Sequence, residues 1–286
     1  MAVDSTHVQY DEASDDWNLI KDLLAGERSI KLAGTMYLPM LSGQDQKEYG
    51  AYRDRASFYN AFGRTAQGLT GAILRKDPDV TSSDQVVDMM ENLTRDGRSL
   101  REIASSCIKD VIAYGRYGLL VDAPADGKGD PYIAEYKAKD ILNWYQEDLG
   151  EGYVLSFISL REWPDSYEDE NYEVAQEENV RIYYVDHEDG FVKVQLYEWT
   201  EPSGNKAIKG TKSTGGVWHP VWDEPQVLVA GGKKLTEIPF FFFGAEDNTP
   251  TINQSPLLDL ANVNIAHWKM SADLAHGLHY TALPTP

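Results

Sequence analysis

The feature that most restricts this chain is a change of hydrophobic period along it. From Tyr49, the apolar positions Tyr52, Ala56, Tyr59, Phe62, Ala66, Leu69 and Ile73 recur every three or four residues, the spacing of one helix face. This predicts one long amphipathic helix, thinned or broken by Gly63, Gly68 and Gly71. Ser82 with Gln85, and Ser99 with Glu102, have the spacing of capping boxes, where a hydroxyl and a side chain three residues on satisfy each other's orphan amides. The second box opens the stripe Ile103, Cys107, Val111 and Tyr114, with Gly115 as its stop. After Gly118 the segments 119–122, 132–136, 153–160, 180–185, 191–199, 226–229 and 238–243 are short and rich in β-branched and aromatic residues, which reads as strands. Breaks at Asp126-Gly127, Asp189-Gly190 and Ser203-Gly204 fall between them, and the second sits where a hairpin turn would.

Helical periodicity returns at Ser255-Pro256, an N-cap followed by a proline whose missing amide is not needed. Leu258, Ala261, Ile265, Trp268, Ala272 and Ala275 make one apolar stripe, and Leu260, Val263, Met270, Leu274 and Leu278 make a second. A helix apolar on two sides needs two neighbours. Leu258, Ile265 and Trp268 mark its packing face, while Asp259, Asn262, Lys269, Asp273 and His276 are expected on a wet face that lines a channel or meets another subunit. The fold class is therefore α+β, with a helical N-terminal part, an antiparallel-rich mixed β middle and a long C-terminal helix. The final Ala282-Leu-Pro-Thr-Pro286 carries no charged tail or cap and reads as a cut.

Charge narrows the partners. The chain has 46 Asp and Glu against 26 Lys and Arg, a formal net charge of −20 over 286 residues. Such a surface repels phosphate backbones, so a broad basic face for sequence-specific duplex binding is not expected. Hydrophobic residues make up 42% of the chain, enough to bury a core and to separate it from acidic disordered tails. A single Cys107 allows no internal disulfide, and its place on a helical stripe reads as core. The polar start carries no signal peptide, and the most apolar run, 238–244, is far below the ~20 residues of a membrane helix.

Few residues suggest chemistry. The common motifs of metalloproteases, phosphate-binding loops and serine hydrolases do not occur. His276 and His279 stand one turn apart, but a phased polar face accounts for both, so no metal or other cofactor is expected. Eleven acidic residues between Arg161 and Asp189 read as a solvated loop and strand edge. The best enzymatic pattern is Asp122 at a strand end followed by Glu135 and Lys137, the spacing by which many metal-dependent nucleases hold Mg²⁺ and orient water. A nuclease built on these three is the alternative reading.

One resemblance covers almost the whole chain. Asp16-Trp17, Leu24-Ala-Gly-Glu-Arg28, Tyr37-Leu-Pro39, Tyr52-Arg53, Arg55-Ala56, Tyr59-Asn60, Arg64-Thr65 and Gly68-Leu69 stand in an order that resembles the opening of a family of tailed-bacteriophage portal proteins, often described only as a domain of unknown function. Lys76-Asp77-Pro78, the run from Tyr114 to Asp122, Ile238-Pro239, Ser255 to Ala261, Ala266-His-Trp268, Ser271-Ala-Asp273 and His276-Gly-Leu-His279 continue it.

The resemblance implies a non-enzymatic subunit of a ring, usually of about twelve copies, at one capsid vertex of the virion. DNA is packaged and ejected through such a ring, which is assembled in the host cytoplasm. Implied partners are the chain itself, the major capsid protein, terminase, tail or head-completion proteins, and double-stranded DNA passing without sequence specificity. No membrane is implied. Residues 1–250 would be the portal wing, and 251–286 the first stem helix and start of the clip. Family members run on into a clip, a returning stem helix and a tunnel loop, so a portal-like fold would here be truncated. An acidic channel wall fits that role, because each Lys or Arg contact would act as a brake on DNA.

Overall fold

A computed structural model describes residues 2–77, 79–123, 130–150, 152–168, 172–201 and 216–281. Helices α1 (Val8–Ala25), α2 (Glu27–Ala33), α3 (Gln46–Arg55), α4 (Ala61–Ile73), α5 (Asp84–Met89) and α6 (Leu100–Tyr114) come first. The strands follow: β1 (Arg116–Asp122), β2 (Tyr132–Lys137), β3 (Ile141–Asp148), β4 (Tyr153–Glu162), β5 (Asp165–Glu168), β6 (Glu173–Gln176) and β7 (Asn179–Val185). Then come β8 (Val192–Thr200), β9 (Val217–Pro220), β10 (Gln226–Val227), β11 (Val229–Ala230), β12 (Lys233–Lys234) and β13 (Phe240–Gly244), and the chain returns to helix in α7 (Leu258–Thr281). This is a mixed α+β architecture with antiparallel sheets and a C-terminal helix.

The predicted helix from Tyr49 to Ile73 is two helices. Backbone turns extended at Ala56, and Asn60 caps α4 by accepting from the Gly63 amide at 2.8 Å. The break therefore lies before Gly63, and the three glycines sit inside α4. Helix α5 begins at Asp84 behind Ser83, one residue later than the Ser82 box required, and Ser83 makes no side-chain cap bond. The second box forms as expected: Ser99 accepts from the Glu102 amide while Glu102 accepts from the Ser99 amide at 2.8 Å. Gly115 then ends α6 at φ +76°, where a side chain would also strike the Asn253 carbonyl.

Three strands form one sheet in the order β13-β1-β2, and a six-stranded sheet runs β10-β8-β7-β4-β3 with β9 also on β8. All pairings are antiparallel. The β7–β8 hairpin turns at Asp189-Gly190 with Gly190 at φ +72°. The other two expected breaks, at Asp126-Gly127 and Ser203-Gly204, lie outside the described residues. In the acidic run from Arg161 to Asp189, Glu162 lies on β4, an interior strand of the larger sheet. Asp165 lies on the two-stranded β5–β6 hairpin, and Glu177, Glu178, Asp186, Glu188 and Asp189 lie in connections, so loop and edge describe most of it.

Two cores result. One fills the space around both sheets with Leu120, Tyr136, Ile141, Trp144, Ile158, Val180, Tyr183, Phe240 and Phe242. The other joins Ile20, Leu23, Ile30, Tyr52, Phe62, Ala261, Ile265 and Trp268 in the helical layer. Helix α1 belongs to both, with Tyr10 and Trp17 in the first and Ile20 and Leu23 in the second. The Trp17 indole donates to the Tyr114 carbonyl at 3.0 Å, tying α1 to the end of α6. Among the described residues, no helix is long and apolar enough to cross a membrane.

Candidate assembly surface

Helix α7 is 24 residues long and has two unlike sides. Its buried line, Leu258, Ala261, Asn264, Ile265, Trp268 and Ala272, packs towards α1, α3 and α4. Polar side chains fix the register. Asn264 accepts from the Phe62 amide at 3.0 Å and donates to the Tyr59 carbonyl at 2.9 Å, and Ser271 accepts from the Ser57 amide at 3.0 Å. These groups satisfy the backbone freed where α3 and α4 separate, which is why the long helix predicted from periodicity breaks there.

On the opposite side Val263, Met270, Leu274 and Leu278 are each 58–65% exposed. At 100° per residue they share an arc of roughly 80°. These are four of the five positions of the second apolar stripe read from the sequence, and nothing among the described residues covers them; Leu260, the fifth, packs against the helical core instead.

The five residues assigned to one wet face divide. Asp259, Asn262, Lys269 and Asp273 are exposed, and His276 is half-buried. Asp273 also accepts from the Tyr52 hydroxyl at 2.5 Å, and His276 lies edge-on to the Tyr52 ring at 5.2 Å and 3.4 Å from Arg55. Burial, then the bond to Asp273, pushes the Tyr52 hydroxyl well above its ordinary pKa, so it stays a donor. Asp273 and His276 thus border the contact with α3. By helical phase His276 sits where the buried and wet arcs meet, and Asp273 lies within the wet arc. Leu258, Ile265 and Trp268 are all buried.

The Asp122, Glu135 and Lys137 triple does not converge. Register pairs Asp122 with Tyr132, Leu119 with Glu135 and Tyr117 with Lys137. Side chains alternate across a strand, so Glu135 and Lys137 share one face and Asp122 takes the other. Asp122 turns to β7, accepting from Arg181 at 3.0 Å and from the Tyr132 hydroxyl at 2.8 Å. Glu135 is held by Arg98 and the Tyr117 hydroxyl instead. Among the described residues, no three His, Cys, Asp or Glu side chains come together to hold a metal ion. His279 packs edge-on to Tyr280 at 5.7 Å. Cys107 is half-buried, and burial with Asp110 nearby pushes its thiol up to about 12, which leaves it unreactive at neutral pH.

Two cations, one half-buried and one buried, were invisible in the sequence. Arg181 bridges the sheets, meeting Glu162 with Nε and Nη2, both at 3.0 Å, as well as Asp122. Desolvation, the largest single influence, would lower its pKa, but Glu162, Tyr183 and Tyr136 together outweigh it and hold it above the ordinary value. Tyr136 completes the network by donating to Glu162 at 2.5 Å. Arg116, only 2% exposed, donates to the Pro250 carbonyl at 2.6 Å and lies 3.9 Å over the Trp144 ring. Burial without a carboxylate pulls its pKa down to about 9. Arg181 pins two sheets together through its carboxylates, whereas Arg116 is held by one carbonyl and two aromatic rings and leaves Nε and Nη2 without a hydrogen-bond partner among the described residues.

A family model described as a domain of unknown function (DUF4055) matches residues 256–286, which takes in α7 and the residues that follow it. No curated protein matches the chain.

Proposed function

We propose that this chain is a portal subunit of a tailed bacteriophage. In this reading copies close into a ring at one capsid vertex, DNA is packaged and ejected through it, and terminase and tail proteins dock on it. The observation that carries the reading is the bare apolar stripe of α7. Val263, Met270, Leu274 and Leu278 project from a helix whose other side is already anchored, and an uncovered line of that kind marks a contact with another chain. A closed ring needs two different patches on every subunit, and a helix with one face in its own core and one face free supplies one of them. The ordered motifs across the chain support the same reading. The portal-like arrangement of a wing over residues 1–250 and a stem from 251 is part of this proposal, as is residence in the virion. Lys269 and Asp273, both exposed on α7, are the residues assigned to DNA or to a neighbouring subunit.

Assembled mass by mass photometry, with negative-stain images of the same sample, tests the reading. Rings with an open channel are expected. Met270→Asp with Leu274→Asp is expected to abolish them while leaving the melting temperature within a few degrees, because neither side chain is buried. Mg²⁺-dependent DNA cleavage lost on Lys137→Ala would sink the portal reading in favour of the nuclease.

A further inference from the structure

The apolar stripe of α4 outruns the core it serves. Phe62 and Ala66 are fully buried, yet Leu69 and Ile73, the next positions of that stripe, are 42% and 58% exposed. At 100° per residue these four fall within roughly 60° of one another, so the second half points as the first does and lacks only a neighbour. Gly68 and Ala72 beside them are exposed too, which leaves a low surface between two aliphatic side chains. A side chain at Gly68 would meet no atom within 4 Å, so nothing in the fold requires a bare backbone at a helix position that glycine weakens. Bare backbone of this kind suits close approach by another chain.

Helix α7 carries the matching surface. Val263, Met270, Leu274 and Leu278 are large and exposed where α4 is low, so that ridge can meet groove. The ends match in charge as well. No acidic residue falls between Asp54 and Asp77, and α4 runs out into Arg75 and Lys76, both exposed. Helix α7 opens with Asp259, also exposed. None of these three charges has an ion pair among the described residues. An antiparallel pair brings Asp259 to the Arg75 and Lys76 end, lays Val263 and Met270 along Ile73, Leu69 and Gly68, and opposes the two helix dipoles. We infer that the α7 stripe of one copy packs antiparallel on the Leu69–Ile73 face of α4 in a second copy.

The two faces are different patches, so the contact is head-to-tail, and repeated copies either close a ring or extend a filament. This contact gives α7 its receiving patch, deepens the ring-subunit reading and rests on that reading for closure. Packing of α7 on α7 would instead give an isologous dimer and leave the α4 face bare.

Mass photometry of the full chain tests this. Leu69→Asp/Ile73→Asp should abolish rings as Met270→Asp/Leu274→Asp does, with wild-type melting temperatures for both, since all four side chains are exposed. An equimolar mixture of the two variants should form a heterodimer and stop there, because only one competent junction remains. Arg75→Glu/Lys76→Glu and Asp259→Lys should each weaken association about tenfold, and their combination in one chain should restore it. That charge exchange reads the contact independently of either apolar substitution, and a combination no better than its parts would overturn the contact. Normal rings from Leu69→Asp/Ile73→Asp would also overturn it and leave the ring reading standing. A wild-type dimer with no larger species would overturn both in favour of α7 on α7. For a monomeric wild type, mixed Ile73→Cys and Val263→Cys chains decide: an intermolecular disulfide upholds the contact and overturns the ring, and its absence overturns both.

Discussion

The helical layer and the junction between the two sheets are held together by different forces. Around Trp268 the helices meet through apolar volume, with Asn264, Ser271 and Asp273 confined to the margins where backbone needs partners. Between β1, β2, β4 and β7 a guanidinium, two carboxylates and two tyrosine hydroxyls are packed into one connected network. Apolar packing is graded, because a smaller side chain removes contacts in proportion to the space it leaves. A buried ion network is closer to all-or-none, because removing one charge strands the others. The helical layer therefore keeps latitude for a further apolar partner on α7, whereas the sheet junction holds a fixed geometry.

Mutations that empty the helical core should have the largest effect. Trp268 is fully buried, so Trp268→Ala is expected to lower stability by about 3–5 kcal/mol in urea unfolding. Its indole nitrogen makes no hydrogen bond among the described residues, so Trp268→Phe should lose much less. Equal losses from the two substitutions would mean that the indole has a partner and that the core is less apolar than it reads.

Arg181→Met comes next, at about 2–3 kcal/mol, somewhat below a fully enclosed pair because the side chain keeps part of its exposure. Tyr52→Phe is smaller, about 1 kcal/mol, since it removes one hydrogen bond at the edge of the helical layer and leaves Asp273 able to meet water.

The two regions also differ in how far the sequence discloses them. The stripe Leu258, Ala261, Ile265, Trp268 and Ala272 was readable because a helix repeats its faces with a fixed period, and the Ser99 box because its two partners sit three residues apart. Segment β3 was missed since Asn143, Gln146, Glu147 and Asp148 dilute its apolar positions, although Ile141, Leu142 and Trp144 are buried. The Asp122, Glu135 and Lys137 triple misled for a related reason. Spacing along the chain carries no register, and an odd offset in the pairing sends Asp122 to the opposite face. Arg181 meets Asp122 across 59 positions of sequence, a distance at which no periodicity is informative. The acidic run was read as solvated because charge alone does not reveal that Glu162 and Glu178 each have an arginine partner.

Asp110 sharpens the comparison with the smallest effect, because it is a charge set in the apolar style of packing. It lies buried on α6, and desolvation raises its carboxyl pKa despite the opposing pull of Lys137 and Lys109. A raised value means that the folded chain holds this proton more tightly than the unfolded chain does. The group's favourable contribution is therefore complete below the ordinary carboxylate pKa and is lost as the pH rises through the folded value. At neutral pH the ionised form opposes folding. Asp110→Asn should consequently stabilise the protein at pH 7 and leave it unchanged at pH 3, which thermal melts at the two pH values would separate. Stabilisation at both would mean that packing and not charge limits the site. A loss at pH 7 would mean that Lys137 and Lys109 offset the desolvation, placing Asp110 with the ion-paired carboxylates of the sheet junction.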